Sequence, residues 1–355
     1  MLPPGPTGKT RADGARETFL RGPTAIQELI EPMVSGKPYP IKGLLIYGMN
    51  IFHTLPKQER TRQALRNLDL VVSIDVLPQD HIAWSDVVLP EATYLERYDD
   101  VWACAHKTPY IALREPAIEP LYDTKPGWWM ARELGNRLGL EEFFPWEGIG
   151  QFLNRRLSSA GLSVETLRAQ GGIAIQPGKP YLADFVADNT SPFGTPSQKI
   201  ELYSDALAKA NLAPMPNFES TPEPPAGFYR LIYGRSPVHT FGRTQNTPVL
   251  HAHTPENAVW INDEEAARLG LKDGEKVWLE NQDGARSGPV AVKATPRIRK
   301  DCAYMIHGFG HNAPGLTRAH GRGASDTALQ TRYVLDPISG GAGLRVNFVK
   351  PVRGN

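Results

Sequence analysis

The chain has 355 residues, of which 39 are Lys or Arg and 38 are Asp or Glu, so its formal net charge is +1 with neutral histidines. This length allows two or three domains, and the near-neutral balance argues against nucleic acid as the main partner, because phosphate binding usually shows as a basic excess. The 33 Gly and 32 Pro residues indicate much loop. No apolar run of 18 residues occurs, so no membrane span is predicted.

The N-terminal segment, residues 1–22, is predicted to be irregular. Its opening, MLPPGPTGKTRADGARE, has no apolar core of the kind that a secretory signal peptide needs. Thr24 can then cap a helix, because the apolar residues after it recur at helical spacing. These residues are Ile26, Leu29, Ile30 and Met33.

Three short apolar runs predict parallel strands buried on both faces, since they lack the alternation of half-exposed strands. They are residues 44–47, 70–74 and 87–89, and residues 56–67 between the first two predict a helix. The strand–helix–strand order predicts a Rossmann-like α/β domain over residues 23–120.

The residues that follow the first two strands suit a nucleotide site. Gly48 and Asn50 follow the first strand and Asp75 follows the second, at the edge where open parallel sheets bind ligands. Glycine lets the backbone approach a phosphate, and a carboxylate can accept hydrogen bonds from a ribose or a guanine. A tight turn and a capping Asp are the alternative, because the Gly-x-Gly-x-x-Gly fingerprint of nicotinamide dehydrogenases is absent.

Residues 121–227 are predicted to form a mixed bridging segment that ends in a Pro-rich linker. Residues 98–117 predict a loop with one short strand, and residues 125–139 and 148–160 predict helices. Residues 199–203 alternate as a strand, and Ser204 can cap a short helix after it. Five prolines within residues 214–227 indicate the linker.

Residues 228–355 predict a compact β-barrel domain. Residues 229–233 and 258–261 read as strands, Asn262 and Glu265 have the spacing of a capping box, and Asp283-Gly284 is typical of a hairpin turn. A glycine-rich tail follows, of the kind that can wrap a large ligand closely.

No metal site is predicted. Cys104 and Cys302 lie far apart and have no Cys-x-x-Cys partner, so each is predicted to be a small buried residue. His251 and His253 could share a face of a strand, but no third ligand stands near them in the sequence.

The motifs, taken in order, resemble the molybdopterin-dependent oxidoreductases of the dimethyl-sulfoxide-reductase superfamily. LVVSID and WSDVVLPEATYLER are similar to their third domain. PFGTPSQKIELYS is similar to the segment that follows, although Gln198 stands where Gly is more common. YRLIYGRSPVHTFGRTQN and WINDEEAARLGLKDGEKVWLEN are similar to their C-terminal dinucleotide-binding barrel, which implies a double-psi-type fold.

The combination of SPVHTFGRTQN, GFGH and GLRVNFVKPV is most similar to the catalytic subunits of polysulfide, thiosulfate and tetrathionate reductases. The resemblance implies a bis-molybdopterin guanine dinucleotide cofactor carrying Mo, and two-electron reduction of polysulfide, thiosulfate or a related substrate in anaerobic respiration. A relative that handles arsenate or another oxyanion, and a non-catalytic cofactor-binding or assembly module, are the alternatives.

The resemblance also implies the residues of the site. One dinucleotide would contact the sheet residues, and the second would contact the barrel; His311, His320 and Arg322, in the tail, could bind substrate or transfer protons, unless they are exposed loop residues. The sheet set is Gly48, Asn50, Asp75, Asp80 and His81. The barrel set is Gly234, Arg235, His239, Thr240, Arg243, Gln245 and Asn347.

Family members begin with a cysteine-rich segment for an iron–sulfur cluster and then supply the residue that ligates molybdenum. Nothing before Leu44 resembles either. We therefore expect a C-terminal half that is inactive alone, with the cluster only in the missing N-terminal part. The implied partners are that part, an iron–sulfur electron-transfer subunit and a membrane-anchor subunit. The chain alone would be cytoplasmic, while the resemblance implies a periplasmic location for the full-length subunit.

Overall fold

The computed structural model describes residues 11–14, 18–20, 26–104, 108–178, 183–188 and 193–354. The chain divides into two compact units, of which one combines residues 1–88 with 207–355 and the other is residues 89–206. The first unit is thus assembled from two stretches that are far apart in the sequence. The four segments predicted from the sequence follow chain order instead.

The first stretch of this unit forms a small parallel sheet with short helices. After a 3-10 turn at Ile26–Leu29, its elements are α1 (Ile30–Ser35), β1 (Gly43–Tyr47), α2 (Ile51–Thr54), α3 (Gln58–Arg66), β2 (Leu70–Asp75) and β3 (Val87–Pro90). The strand order is β1-β2-β3, and β1 pairs with β2 in parallel. The three predicted strands are present and the predicted helix is α3, but the prediction that the strands are buried on both faces is wrong for β1 and β3, most of whose side chains are exposed or only partly buried. Thr24 lies outside the described residues.

Apolar side chains hold the helices against this sheet. Ile46 of β1 and Val71 of β2 are buried in one cluster with residues from α1, α2 and α3. In α3 the side chains at positions 61, 64 and 65 are buried, as expected for one face of a helix. The packing leaves the loops after β1 and β2 together at the carboxyl edge of the sheet.

The second unit has its own core. It contains β4 (Trp102–Cys104), β5 (Tyr110–Ala112), α4 (Gly127–Arg137), α5 (Ile149–Leu157), α6 (Val164–Ala169), β6 (Ile173–Ile175) and α7 (Ala183–Asp188), with α8 (Asp205–Lys209) at its boundary. Its strands form an antiparallel sheet in the order β4-β5-β6. Leu153, Leu157 and Leu167 pack in the core beneath it. Helices α4 and α5 confirm the two predicted helices.

The second stretch of the first unit closes into a six-stranded barrel. Its elements are β7 (Tyr229–Gly234), α9 (Pro248–His253), β8 (Ala258–Ile261), α10 (Asp263–Arg268), β9 (Lys276–Asn281), β10 (Arg286–Ala294), β11 (Cys302–Ile306), β12 (Val334–Leu335), β13 (Ala342–Gly343) and β14 (Phe348–Val352). The barrel order is β10-β8-β11-β7-β14-β9. Two pairs, β7 with β11 and β8 with β10, are parallel and the others are antiparallel. The predicted barrel and its hairpin at Gly284 are confirmed.

The strand predicted at residues 199–203 is wrong. The segment is irregular, and Ile200 and Leu202 are 70% and 78% exposed. Side chains make hydrogen bonds with the nearby backbone here, in place of the backbone hydrogen bonds of a β-sheet. Thr195 Oγ1 donates to the carbonyl of Lys199, and Glu201 accepts from the amide of Ser197. An alternating pattern of apolar residues does not form a strand when no neighbouring strand pairs with it.

Four smaller predictions need correction. Residues 98–117 contain two strands, β4 and β5, rather than one. Asn262 does cap α10, but it accepts from the amide of Glu264, while Glu265 turns to Arg268 and Tyr229, so no capping box forms. His251 and His253 lie in helix α9, not in a strand. Cys302 is buried as predicted, whereas Cys104 is only partly buried.

Among the described residues, no helix combines the length and the apolar character needed to cross a membrane.

Candidate functional site

The carboxyl edge of the sheet brings Gly48 and Asp75 together. Gly48 has a φ of 60° and its amide donates to the carbonyl of Ile74 at 3.0 Å. Asp75 ends β2, and its Oδ1 accepts from the amides of Val76 at 2.7 Å and Leu77 at 3.2 Å. Asp75 therefore caps a turn and lies at the predicted edge of the sheet, and its contact with a nucleotide stays a prediction.

Arg243 reaches this edge from the barrel stretch. Its Nη1 donates to the carbonyl of Gly48, and its Nη2 lies 3.6 Å from Oδ1 of Asp75. Arg243 was predicted as a member of the barrel set, and Gly48 and Asp75 as members of the sheet set. The structure thus joins members of both predicted sets at one place.

Asp80 is the centre of a second group of contacts. Its Oδ1 accepts from the amides of Asn312 at 2.6 Å and Ala313 at 3.0 Å. Its Oδ2 accepts from Asn50 Nδ2 at 2.8 Å and His311 Nδ1 at 2.7 Å, and lies 3.3 Å from Nε2 of His53. Asn50 and Asp80 were predicted as cofactor residues and His311 as a possible catalytic residue, and all three meet here.

The group keeps Asp80 ionised. Burial raises the pKa of this carboxyl group, but its hydrogen bonds and charge interactions with His311 and His53 outweigh burial, and the net pKa is far below the usual range. Burial lowers the pKa of His53, which favours the neutral imidazole. His311 is only 1% exposed, so the reading of this residue as an exposed loop histidine is wrong.

Three of the predicted cofactor residues carry buried polar atoms that have no hydrogen-bond partner among the described residues. They are Oδ1 of Asn50, both ring nitrogens of His81 and Oε1 of Gln245. A buried polar group without a partner costs about 1–3 kcal/mol, so native proteins rarely keep one without a reason. A ligand with complementary donors and acceptors is one such reason.

His81 is the most deeply buried of the three, with no exposed surface. Burial and the charge of Arg243 lower its pKa, the charge of Asp80 opposes them, and the net pKa is about 4. The imidazole is therefore neutral near pH 7. A neutral imidazole offers one N–H donor and one acceptor nitrogen.

Other members of the barrel set are used within the protein. His239 Nε2 lies 2.8 Å from the carbonyl of Thr254 and its Nδ1 lies 3.3 Å from Oγ1 of Thr244, which also accepts from the amide of Thr240. The guanidinium of Arg235 stacks on the ring of Phe241 at 4.7 Å. These contacts fix the loop after β7.

Gly234, Asn347, His320 and Arg322 are not among the described hydrogen-bond or ion-pair partners of Asp80. The carbonyl of Gly234 accepts from the amide of His307. Asn347 is fully buried, accepts from the amides of Thr331 and Arg332 and donates to the carbonyls of Arg332 and Leu344. Asn347 therefore connects residues 331 and 332 of the tail to residue 344. Arg322 is exposed and pairs with Glu256, and His320 is exposed beside the backbone of His311.

His307 forms a separate buried pair with Asp326. The distance from Nδ1 to Oδ2 is 2.9 Å, and Oδ2 also accepts from Gln330 Nε2 at 3.1 Å. Burial lowers the pKa of His307, but the hydrogen bond and charge of Asp326 outweigh it and the net shift is upward. The pair can therefore hold a proton near neutral pH.

A cleft of about 1030 Å³ opens beside the Asp80 group. His53, Asp80 and His311 line it, together with Lys57, Arg60 and Arg62 from α3 and its start. Sequence reasoning missed His53. The available signal was its position three residues after Asn50, which on a helix places both side chains on the same face.

Two parts of the chain match protein-family models. Residues 22–137 match the model described as Molybdopterin oxidoreductase, and residues 229–348 match the Molydopterin dinucleotide binding domain. The matched regions contain the sheet and the barrel, and between them all predicted cofactor residues.

Similar proteins include a thiosulfate reductase subunit, an acetylene hydratase and a dimethyl sulfoxide reductase. The molybdopterin-containing subunit PhsA of thiosulfate reductase from Salmonella typhimurium is 32% identical over 341 residues, which are 90% of this chain and 44% of that protein. Acetylene hydratase of Syntrophotalea acetylenica is 28% identical over 75% of this chain and 36% of its own. Dimethyl sulfoxide reductase DmsA of Escherichia coli is 28% identical over 88% and 41%.

The solved structure of acetylene hydratase from Pelobacter acetylenicus has the same fold. It aligns with a TM-score of 0.74 and 23% identity over 97% of this chain and 49% of that one. The chain spans less than half the length of the curated relatives described above, with covered shares of 44%, 36% and 41%.

Proposed function

Since this chain belongs to the molybdopterin oxidoreductases of the dimethyl-sulfoxide-reductase superfamily, we propose that it binds the guanine dinucleotide ends of a bis-molybdopterin guanine dinucleotide. It would do so as part of a catalytic subunit that reduces thiosulfate, polysulfide or a related sulfur compound. The bound cofactor supplies two-electron chemistry at molybdenum, and the protein supplies binding and orientation. The barrel is proposed to be of the double-psi type.

The observation that carries the proposal is the set of unpartnered buried atoms on Asn50, His81 and Gln245. A guanine base presents N–H donors that amide oxygens can accept, and its ring nitrogen and carbonyl can accept from an imidazole N–H. The residues present therefore fit a guanine dinucleotide.

The sheet set would hold one dinucleotide. Gly48 lets the backbone come close, Asp75 accepts hydrogen bonds from a ribose or guanine, and Asp80 orients Asn50 through the bond at 2.8 Å. Arg243 stands beside Gly48 and Asp75 with a charge that suits a pyrophosphate. The second dinucleotide would take the loop after β7, where Gly234, Arg235 and Thr240 are the direct contacts and His239 and Asn347 hold the loops.

The sulfur substrate class is supported by the 32% identity to a thiosulfate reductase subunit. His311 and the neighbouring tail residues His320 and Arg322 would act on the substrate or its protons. An iron–sulfur electron-transfer subunit and a membrane-anchor subunit would be partners in a periplasmic respiratory complex. A relative that handles another oxyanion is the second candidate for the reaction.

Release of guanine nucleotide tests the binding proposal. The chain is purified from cells that make the cofactor, and the GMP released by acid hydrolysis is measured per chain. We expect GMP to co-purify with the native chain, and Asn50→Ala or Gln245→Ala to weaken retention about tenfold, since a buried hydrogen bond contributes about 1–2 kcal/mol.

The control is Gln63→Ala, because Gln63 is exposed on α3. This variant should retain GMP like the native chain. Absence of GMP from all the proteins, or an equal loss in the Gln63→Ala variant, would contradict the proposal.

A further inference from the structure

His53, Asp80 and His311 form a compact group of metal-ligating side chains. Each offers one ligand atom, and the three atoms lie within 4.8 Å of one another. Nε2 of His53 is 3.3 Å from Oδ2 of Asp80, and Nδ1 of His311 is 2.7 Å from the same oxygen. The imidazole rings of the two histidines have centroids 4.4 Å apart.

We propose that these three side chains bind one divalent transition-metal ion of the zinc class. Two imidazole nitrogens and a carboxylate oxygen are a typical ligand set for Zn²⁺, with bonds of about 2.0–2.2 Å. In a tetrahedral site such bonds separate neighbouring ligand atoms by about 3.3 Å. The His53–Asp80 distance has this value already, and the His311–Asp80 contact lengthens by about 0.6 Å when Nδ1 exchanges its proton for the metal.

The carboxylate is oriented for this role by contacts that the ion leaves intact. Oδ1 of Asp80 is held by the amides of Asn312 and Ala313, so Oδ2 alone turns toward the histidines. Groups that orient a metal ligand in this way typically strengthen binding 10–100-fold.

Three protein ligands leave the fourth position of a tetrahedral site to a water molecule, as in catalytic zinc sites. Asn50 keeps its bonds to Asp80 at 2.8 Å and Gln79 at 3.0 Å, so its amide does not need to turn. The cleft beside the group gives the ion a route of entry.

The ion would join three segments of the chain. His53 lies in α2, Asp80 in the loop after β2 and His311 in the glycine-rich tail. Binding of the ion needs no pterin, although the site shares Asp80 and His311 with the residues of the proposed function. Its test is made with the metal alone.

Calorimetry with Zn²⁺ on the untagged chain, dialysed first against a chelator, tests the proposal. We expect one ion per chain, because the three side chains supply a single set of ligand atoms. Co²⁺ should give the intense visible absorption of a tetrahedral site. His53→Gln and His311→Gln should each weaken binding at least about 100-fold, since each removes a ligand.

The matched control is His253→Gln, which removes an exposed histidine of α9. This variant should bind Zn²⁺ like the native chain. Absence of binding, or equal loss in the His253→Gln variant, would overturn the proposal. If both ligand variants fail to fold, the Co²⁺ spectrum of the native chain decides, because an octahedral spectrum with weak absorption contradicts the site.

Discussion

At the scale of single residues, His81 shows how burial can dominate a protonation state. The side chain has no exposed surface, and neither ring nitrogen has a hydrogen-bond partner among the described residues. Charging it inside the protein is unfavourable, and its pKa falls to about 4 from an ordinary value of 6.5. Folding therefore keeps His81 neutral across the range in which the unfolded chain gains a proton.

His81 should make the chain sensitive to acid. Between pH 6.5 and pH 4 the unfolded chain binds a proton at this residue that the folded chain does not. The free energy of unfolding should thus fall as pH falls through this window, by roughly 3 kcal/mol at its lower end, at about 1.4 kcal/mol per pKa unit. His81→Gln cannot take up a proton, so urea unfolding at pH 7 and pH 5 should show a smaller difference for this variant.

His253→Gln is the control for this measurement because His253 is exposed. It should keep the pH dependence of the native chain. If His81→Gln and the native chain lose the same stability between pH 7 and pH 5, the neutral state of His81 does not contribute.

The residues of the edge were predictable from the sequence because their positions relative to strands fix their location. Gly48 and Asp75 follow two parallel strands, so any parallel sheet brings them to one edge. The Asp80–His311 bond was not predictable, because 231 positions separate the bonded residues and no local pattern encodes the contact. Arg243 was predicted to be near a dinucleotide, but its bond to Gly48 emerges only from the three-dimensional structure.

At the scale of elements, the glycine-rich tail packs closely against the loop after β7. Gly308 has a φ of 93°, and a Cβ atom at this position would collide with the backbone of Phe241 and Gly242. Gly321 has a φ of 67° but no atom within 4 Å of its would-be Cβ. The two glycines share a backbone preference and differ in their surroundings.

This difference predicts unequal costs of alanine substitution. Gly321→Ala should cost about 1–2 kcal/mol, the penalty for a left-handed residue. Gly308→Ala should cost at least about 3 kcal/mol, because it adds a steric clash with backbone atoms to that strain. Guanidinium unfolding of both variants measures the two costs, and equal values would contradict the close packing of the tail.

A helix or strand could be predicted from the sequence when the residues that stabilise it lie close together in the chain. Strands β1 and β2 and helices α4 and α5 were found because apolar runs and helical spacing are local signals. The sheet β4-β5-β6 was missed because its third strand lies about 60 positions after the second. Residues 199–203 were predicted as a strand but are irregular, because no neighbouring strand among the described residues pairs with them.

At the scale of the whole molecule, the first unit depends on contacts between its two stretches. Arg243 bonds to Gly48 across 195 positions, and Oγ1 of Thr327 donates to the carbonyl of His53 across 274. These contacts, together with the Asp80 group, connect the sheet stretch to the barrel stretch.

Arg243→Ala should weaken this connection. The substitution leaves the carbonyl of Gly48 and the buried carboxylate of Asp75 without the guanidinium, which should lower the free energy of unfolding by about 1–3 kcal/mol. Urea unfolding followed by tryptophan fluorescence measures the loss.

Arg299→Ala is its matched control. The side chain of Arg299 is 81% exposed and pairs with Asp301, and an exposed pair of this kind contributes at most about 1 kcal/mol. A loss for Arg243→Ala no larger than that for Arg299→Ala would show that the guanidinium does not connect the two stretches.

Because the two stretches are far apart in the sequence, the ribosome makes them at different times. Asp80 and His311 are 231 residues apart, and a ribosome adds roughly 5–20 residues per second. About 10–50 s therefore pass between the synthesis of the two partners. Residues 89–206, which form a contiguous unit, are synthesised within that interval. This unit can form its core before the barrel stretch has been made and can contact the sheet stretch. During this interval the sheet edge is exposed to chaperones and proteases, which makes the rate of translation a determinant of the yield of folded protein.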